Sequence, residues 1–310
     1  CLERHVATPA WAPIISLESV DGPLYQRMIR DFHGMYKGLP PASKLAECAR
    51  KHAGRLKRSG KVIDAHAMVQ LSLEVFIDYL FDREWEPAFQ VLADASWEWR
   101  KEIAMRGKAD LAVKEGAVKC VVEDLLWRHS PTWVLFGEKW RKPEYFSLIM
   151  QPFIISPAIN ISDIAVAFKL QPGMGVDEAV RSMHPFPVLE RFVDADVVNR
   201  SGEVCVKADS QVIMFCSDFA SSPFPVFGAG PRACAGTNLA RPFIKVIHEE
   251  LLPHDLFHPQ VNHQYSGRHN DSPASLGEIF YLIRTLATLL FRRSKERTNY
   301  GMNLEAHYDD

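Results

Sequence analysis

Residues 227 to 236 read Phe-Gly-Ala-Gly-Pro-Arg-Ala-Cys-Ala-Gly, and no other stretch of the chain restricts the possible folds as tightly. Gly230 and Gly236 flank Cys234 where the backbone must turn sharply, and glycine accepts φ > 0 and lets the main chain approach a flat ligand closely. A sulfur on such a turn, just ahead of a helix-periodic apolar run, is deprotonated readily by nearby backbone N–H groups and the helix start. Cys234 is therefore the leading candidate for a metal ligand, with Phe227 placed to shield the sulfur from water. Arg232 offers a planar fork of donors suited to a carboxylate partner. Two other readings compete. One is a structural cysteine loop. The other takes Gly228 to Ala233 as the Gly-x-Gly-x-x-Ala turn of a dinucleotide fold, with a strand over 224–227 and Glu249 or Glu250 as the distal acid. That reading requires repeated βαβ units, whereas helix and then loop follow residue 237, and Pro231 has no N–H to offer a phosphate.

A second segment precedes the loop. Glu178 and Arg181 are three apart on a helix-like run and share a face, and His184-Pro185-Phe186-Pro187 and then Arg191 follow. His184 reads as a packing or hydrogen-bonded histidine rather than a ligand. In this order, Glu-x-x-Arg helix, Pro-rich break, later arginine and Phe-x-x-Gly-x-Arg-x-Cys-x-Gly loop, the sequence resembles the cytochrome P450 family. The resemblance is strong over 178–241 and faint before 145. It implies a mainly α fold with small β-sheets that holds heme b (iron protoporphyrin IX) by the Cys234 thiolate, which pushes electron density onto iron. It further implies that Phe227, Gly230, Arg232, Gly236, Arg191 and Tyr25 surround the heme, with Arg232 and Arg191 reaching propionates and Glu178 with Arg181 locking the core beside it. Asp21 to Arg30 looks like the start of the family's propionate-contacting helix, but the usual aromatic or histidine and arginine pair becomes Tyr25 and Ile29. Either Arg27 or Arg30 substitutes, or neither does. Residues 191 to 213 alternate around Asn199-Arg200-Ser201-Gly202 and read as the hairpin expected between helix and loop.

The central segment, residues 145 to 168, departs from the family. Typical oxygenases carry an acid and a threonine there to relay protons, whereas the best register places Asn160 at the acid, Ile161 at the threonine and Ser162 beside them. Asn160 and Ser162 are thus the candidate catalytic residues. Asparagine cannot shuttle a proton as a carboxylate does; a register a few residues away would make Asp163 the acid instead. Loss of the pair suits an enzyme that starts from a peroxide or rearranges a substrate without O₂. The segment approaches the roughly 20 residues a membrane span needs, but Pro152, Pro157, Asn160 and Asp163 interrupt it, so it reads as a buried helix.

The chain has 310 residues, of which 47% are hydrophobic and 24% charged, enough for a large core in one P450-like domain over 1–310. The amino-terminal sheet of that domain reads as reduced or missing. A net charge of −2 argues against nucleic acid as a partner. Six cysteines without Cys-x-x-Cys or zinc spacing fit a reducing compartment. The chain opens on Cys1 without methionine and shows no secretory signal, so it reads as processed, trimmed or incompletely represented: intracellular, cytoplasmic or membrane-associated through an anchor outside it. Helical periodicity predicts helices over 62–81, 118–128, 239–252 and 276–293. His258, His263 and His269 read as surface residues, and the basic cluster over 292–297 as a solvated helix end. The expected function is oxidation, by hydroxylation or peroxygenation, of a small apolar organic substrate, with a redox partner if O₂ is used. The alternatives are reductase-independent hydroperoxide rearrangement, isomerisation or dehydration, and a non-catalytic heme-binding protein.

Overall fold

The computed structural model describes residues 17, 22–105, 110–121, 125, 150–182, 188–215 and 225–259, with backbone alone at 99–105, 111, 151, 188–192 and 213–215. The chain divides into two compact units, Cys1–Val261 and Asn262–Asp310, and every described residue belongs to the first. The expected helix over 276–293, the basic cluster, His263, His269 and His184 lie outside the described residues.

Helix α1 (Gly22–Lys37) buries Tyr25, Met28, Phe32 and Met35, a stripe at helical spacing that faces the interior. Helix α2 (Ala42–Arg58) likewise buries Leu45, Cys48, Ala49, His52 and Ala53. Helix α3 (Ala65–Phe81) starts where the Asp64 carboxylate accepts from the Ala67 N–H at 2.9 Å, and stops at Asp82, whose φ of 51° is left-handed. Its start falls three residues after the periodicity begins at Val62, because Ile63 is engaged in a bridge with Phe257. Helix α4 (Gln90–Met105) is followed by α5 (Leu111–Lys119), capped by Asp110 through the N–H groups of Ala112 and Val113.

A π-helical turn over Met150–Ile155 contains Pro152, which has no N–H for the regular ladder, and it leads into α6 (Ser156–Leu170) with Pro157 in its first turn. Helix α7 (Val176–Ser182) carries the Glu-x-x-Arg pair, and α8 (Thr237–Leu251) follows the cysteine loop. Helix α2 packs on α3 and α8, α3 on α6, and α6 on α8, which closes a four-helix bundle; α7 rests on α6 and α8. Both α3 and α6 are apolar on nearly every side and are buried on nearly every side, as all-round hydrophobic helices must be. By length and composition Pro152–Leu170 could cross a membrane, but 72% of its apolar window is buried inside the protein.

Strand β1 (Val188–Phe192) pairs antiparallel with β4 (Gln211–Phe215), and β2 (Val197–Val198) with β3 (Val204–Val206). The tip falls on Asn199–Gly202, where Asn199 Oδ1 accepts from the N–H groups of Ser201 and Glu203 and Gly202 takes φ of 81°. This is the hairpin read from the alternation. Apart from the isolated Ile63–Phe257 bridge, the described strands pair only antiparallel, so they hold no βαβ unit and give the dinucleotide reading no scaffold.

Candidate cysteine-loop site

The loop from Phe227 to Gly236 is shaped by its glycines. Gly228 and Gly230 have φ of 76° and 70°, conformations costly for any residue with a Cβ. The turn lets the Cys234 N–H donate to the Phe227 carbonyl at 2.7 Å, closing the loop at its base. Gly230–Arg232 forms a 3₁₀ turn, and the Thr237 hydroxyl donates to the Cys234 carbonyl at 2.7 Å as α8 begins. Cys234 is exposed and in no disulfide. A Cβ at Gly236 would sit 3.8 Å from its sulfur, so glycine leaves that flank bare, while at Gly230 nothing lies within 4 Å.

Two elements grip the loop. From α1, the Tyr25 hydroxyl donates to the Pro231 carbonyl at 2.5 Å, and the Arg232 guanidinium lies over the Tyr25 ring at 3.6 Å while donating to the Leu17 carbonyl at 2.7 Å. From α8, Arg241 lies 4.9 Å above the half-buried Phe227 ring and pairs with Asp177 of α7. The ion pair read for Glu178 and Arg181 is not formed among the described residues. Glu178 is exposed, and Arg181 Nε is buried without a hydrogen-bond partner. Asp177, one residue earlier on the short helix, is the acid that pairs with Arg241.

The structure therefore brings Tyr25, Phe227, Gly230, Arg232, Cys234 and Gly236 together. Arg191 stands in β1 opposite Val212, its side chain outside the described residues. Asn160 and Ser162 are not brought together, because residues two apart leave a helix on opposite sides. The Asn160 amide donates to Ser156 Oγ at 3.0 Å, one turn back, and the buried Ser162 hydroxyl donates to the Ala65 carbonyl of α3 at 3.4 Å.

Tyr36 is a member of this neighbourhood that sequence reasoning missed. Its phenol oxygen is buried, and burial, reinforced by the charge of Cys234 and opposed by the backbone of Leu239, raises its pKa above the ordinary phenol value. The signal was present: Tyr36 is 11 residues after Tyr25, three turns along the same face of α1. Arg241 was missed as well, seven residues beyond Cys234 on α8.

The donor set is one exposed thiol, with no Cβ beside it at Gly236. Among the described residues no group of three His, Cys, Asp or Glu side chains could hold a metal ion. A single soft axial donor fits a metal whose remaining equatorial ligands come from a macrocycle, as in heme, and does not fit an all-protein cage.

This mainly helical architecture, with small antiparallel sheets and a cysteine loop at the head of α8, is the cytochrome P450 fold. A 6-coordinated cytochrome P450 from Thermus thermophilus superposes with a TM-score of 0.55 at 15% identity, covering 79% of this chain and 78% of that one. Cytochrome P450 CYP109Q5 from Chondromyces apiculatus gives 0.55 at 16% identity over 81% and 79% of the two chains. The ligand-free cytochrome P450 TbtJ1 gives 0.52 at 16% over 77% and 76%. No protein-family model matches the chain, and no curated protein matches it in sequence.

Proposed function

We propose that this protein binds heme through the Cys234 thiolate and oxidises a small apolar organic substrate. The observation that carries this reading is the exposed thiol on a glycine-bent loop at the head of α8, within a P450 fold. Bound heme supplies the activation of oxygen or of a peroxide. The chain's own part is to hold the sulfur, to leave its flank without a Cβ at Gly236, and to present buried apolar side chains such as Ile155 of the π-helical turn and Ala158 and Ile161 of α6, which exclude water and favour an apolar substrate.

A second reading is reductase-independent chemistry: rearrangement of a hydroperoxide, isomerisation or dehydration. It is favoured by Asn160 and Ser162, whose polar groups are engaged within α6 and on α3 and include no carboxylate to relay protons.

The test is the absorption spectrum of the reduced, carbon monoxide-treated protein beside Cys234→Ser, with Cys205→Ser as the control for an exposed thiol elsewhere. A strongly red-shifted Soret band lost only in Cys234→Ser is the expected result. Folded protein that takes up no heme would refute it. Turnover with a hydroperoxide but not with NAD(P)H and a redox partner would select the second reading.

A further inference from the structure

Tyr25 and Arg232 form a closed pair of contacts between α1 and the cysteine loop. The phenol binds the loop's backbone at Pro231, three residues before Cys234. The guanidinium next to that proline returns the contact by lying over the phenol ring, and its N–H reaches the chain just ahead of α1 at Leu17. Tyr25 is buried, whereas the loop residues Pro231, Arg232 and Cys234 are exposed, so this pair ties an exposed turn to the protein interior. Among the described residues the backbone bonds of the turn, Gly228 to Pro225, Ala233 to Gly230 and Cys234 to Phe227, are internal to it and fix its shape without fixing it to α1.

We infer that Tyr25 and Arg232 are positioning residues that act through the loop backbone to set the direction of the Cys234 sulfur. The inference deepens the reading of Cys234 as a heme ligand and rests on it for its functional meaning. The turn's own bonds fix its shape but not its seat against α1, so the direction in which the whole turn presents the thiol depends on what holds it from outside. A cation stacked on a ring that is itself hydrogen-bonded beside that cation restricts the loop both along and across α1.

The experiment compares full-length wild type, Tyr25→Phe, Arg232→Lys and, as a control, Tyr79→Phe, which removes an equivalent phenol-to-carbonyl bond to Pro40 away from the loop. Amide hydrogen exchange of the heme-free proteins is read first. Tyr25→Phe is expected to speed exchange of the Gly228, Ala233 and Cys234 amides about fivefold, the population change that loss of one net hydrogen bond produces, with α3 unchanged. Arg232→Lys keeps the charge but loses the planar guanidinium over the ring and is expected to act on the same amides; it decides the matter if Tyr25→Phe does not fold. Tyr79→Phe is expected to leave them unchanged. The reduced, carbon monoxide-bound spectrum is read second, and Tyr25→Phe is expected to shift part of the Soret band toward the position of a neutral or displaced thiol. Loop amides and spectrum that match wild type in both loop variants would overturn the clamp even where wild type shows heme-thiolate ligation. Loop exchange that responds in a wild type taking up no heme would support the clamp and refute the heme reading instead.

Discussion

At Gly228 the backbone stands at φ of 76° and an added Cβ would meet Ala233 Cα at 3.6 Å, so strain rather than crowding is the obstacle to substitution. Gly228→Ala is expected to lower the free energy of unfolding by about 1–2 kcal/mol, the cost of a left-handed conformation for an L-residue, measured by denaturant titration. Gly236 is different. Its φ is −85°, so Gly236→Ala is expected to cost under about 1 kcal/mol. Its methyl would lie against the Cys234 sulfur, and alkylation of Cys234 should slow relative to the exposed Cys205 in the same protein. The two glycines serve different ends: Gly228, at a variable position of the motif, shapes the turn, and Gly236, at a fixed one, clears the thiol's flank.

Helices α2 and α3 are joined by a charged network that no motif announced. The buried His52 ring places Nε2 2.8 Å from Asp78 and Nδ1 3.3 Å from Glu74. Lys51 reaches Asp78 at 3.0 Å and Glu84 at 2.6 Å, and Arg55 spans Glu74 and Glu84. Burial by itself would raise the Glu74 and Asp78 pKa values. Hydrogen bonds from His52, Arg55 and Gln70 to Glu74, and from Lys51 and His52 to Asp78, bring both below the ordinary carboxylate range. A carboxylate whose folded pKa is depressed adds stability that is complete above its unfolded value, about 4, and is lost as pH falls through the folded value. The protein should therefore lose stability below about pH 4. Glu74→Gln is expected to flatten that dependence and to cost about 1.5–3 kcal/mol at neutral pH, as removal of a charged hydrogen-bond partner does; denaturant unfolding across pH measures both. Cys48, on the same face, has its thiol pKa pushed up to about 11 by burial and then by Asp78, which makes it an inert packing residue beside the exposed Cys234.

Across the bundle, aromatic rings join elements distant in sequence. Phe76 of α3 contacts Phe153 in the π-helical turn and Phe243 of α8, and Phe153 stacks on Phe32 of α1. Phe243 is fully buried, so Phe243→Ala is expected to open a cavity and cost about 3–5 kcal/mol. Calorimetry would show it as a lowered unfolding temperature with α1, α3 and α8 still unfolding together. This core also explains why the chain keeps a P450 fold at 15–19% identity with its structural neighbours. Bundle packing requires apolar side chains of suitable volume in the right period rather than particular residues.

Much of this protein was legible in its order of residues. The cysteine loop, the Asn199–Gly202 tip, the helix over Val176–Ser182 and the runs that became α3 and α8 are set by neighbours a few residues apart, through φ preference and apolar period. The contacts that make the loop a site were not legible. Tyr25 meets Pro231 across 206 positions, Arg241 chooses Asp177 over Glu178 across 64, and Ser162 turns to Ala65 across 97. Local periodicity says that a helix has an inner face. Which residue of that face meets which partner depends on how the helices pack, and only the assembled bundle establishes that.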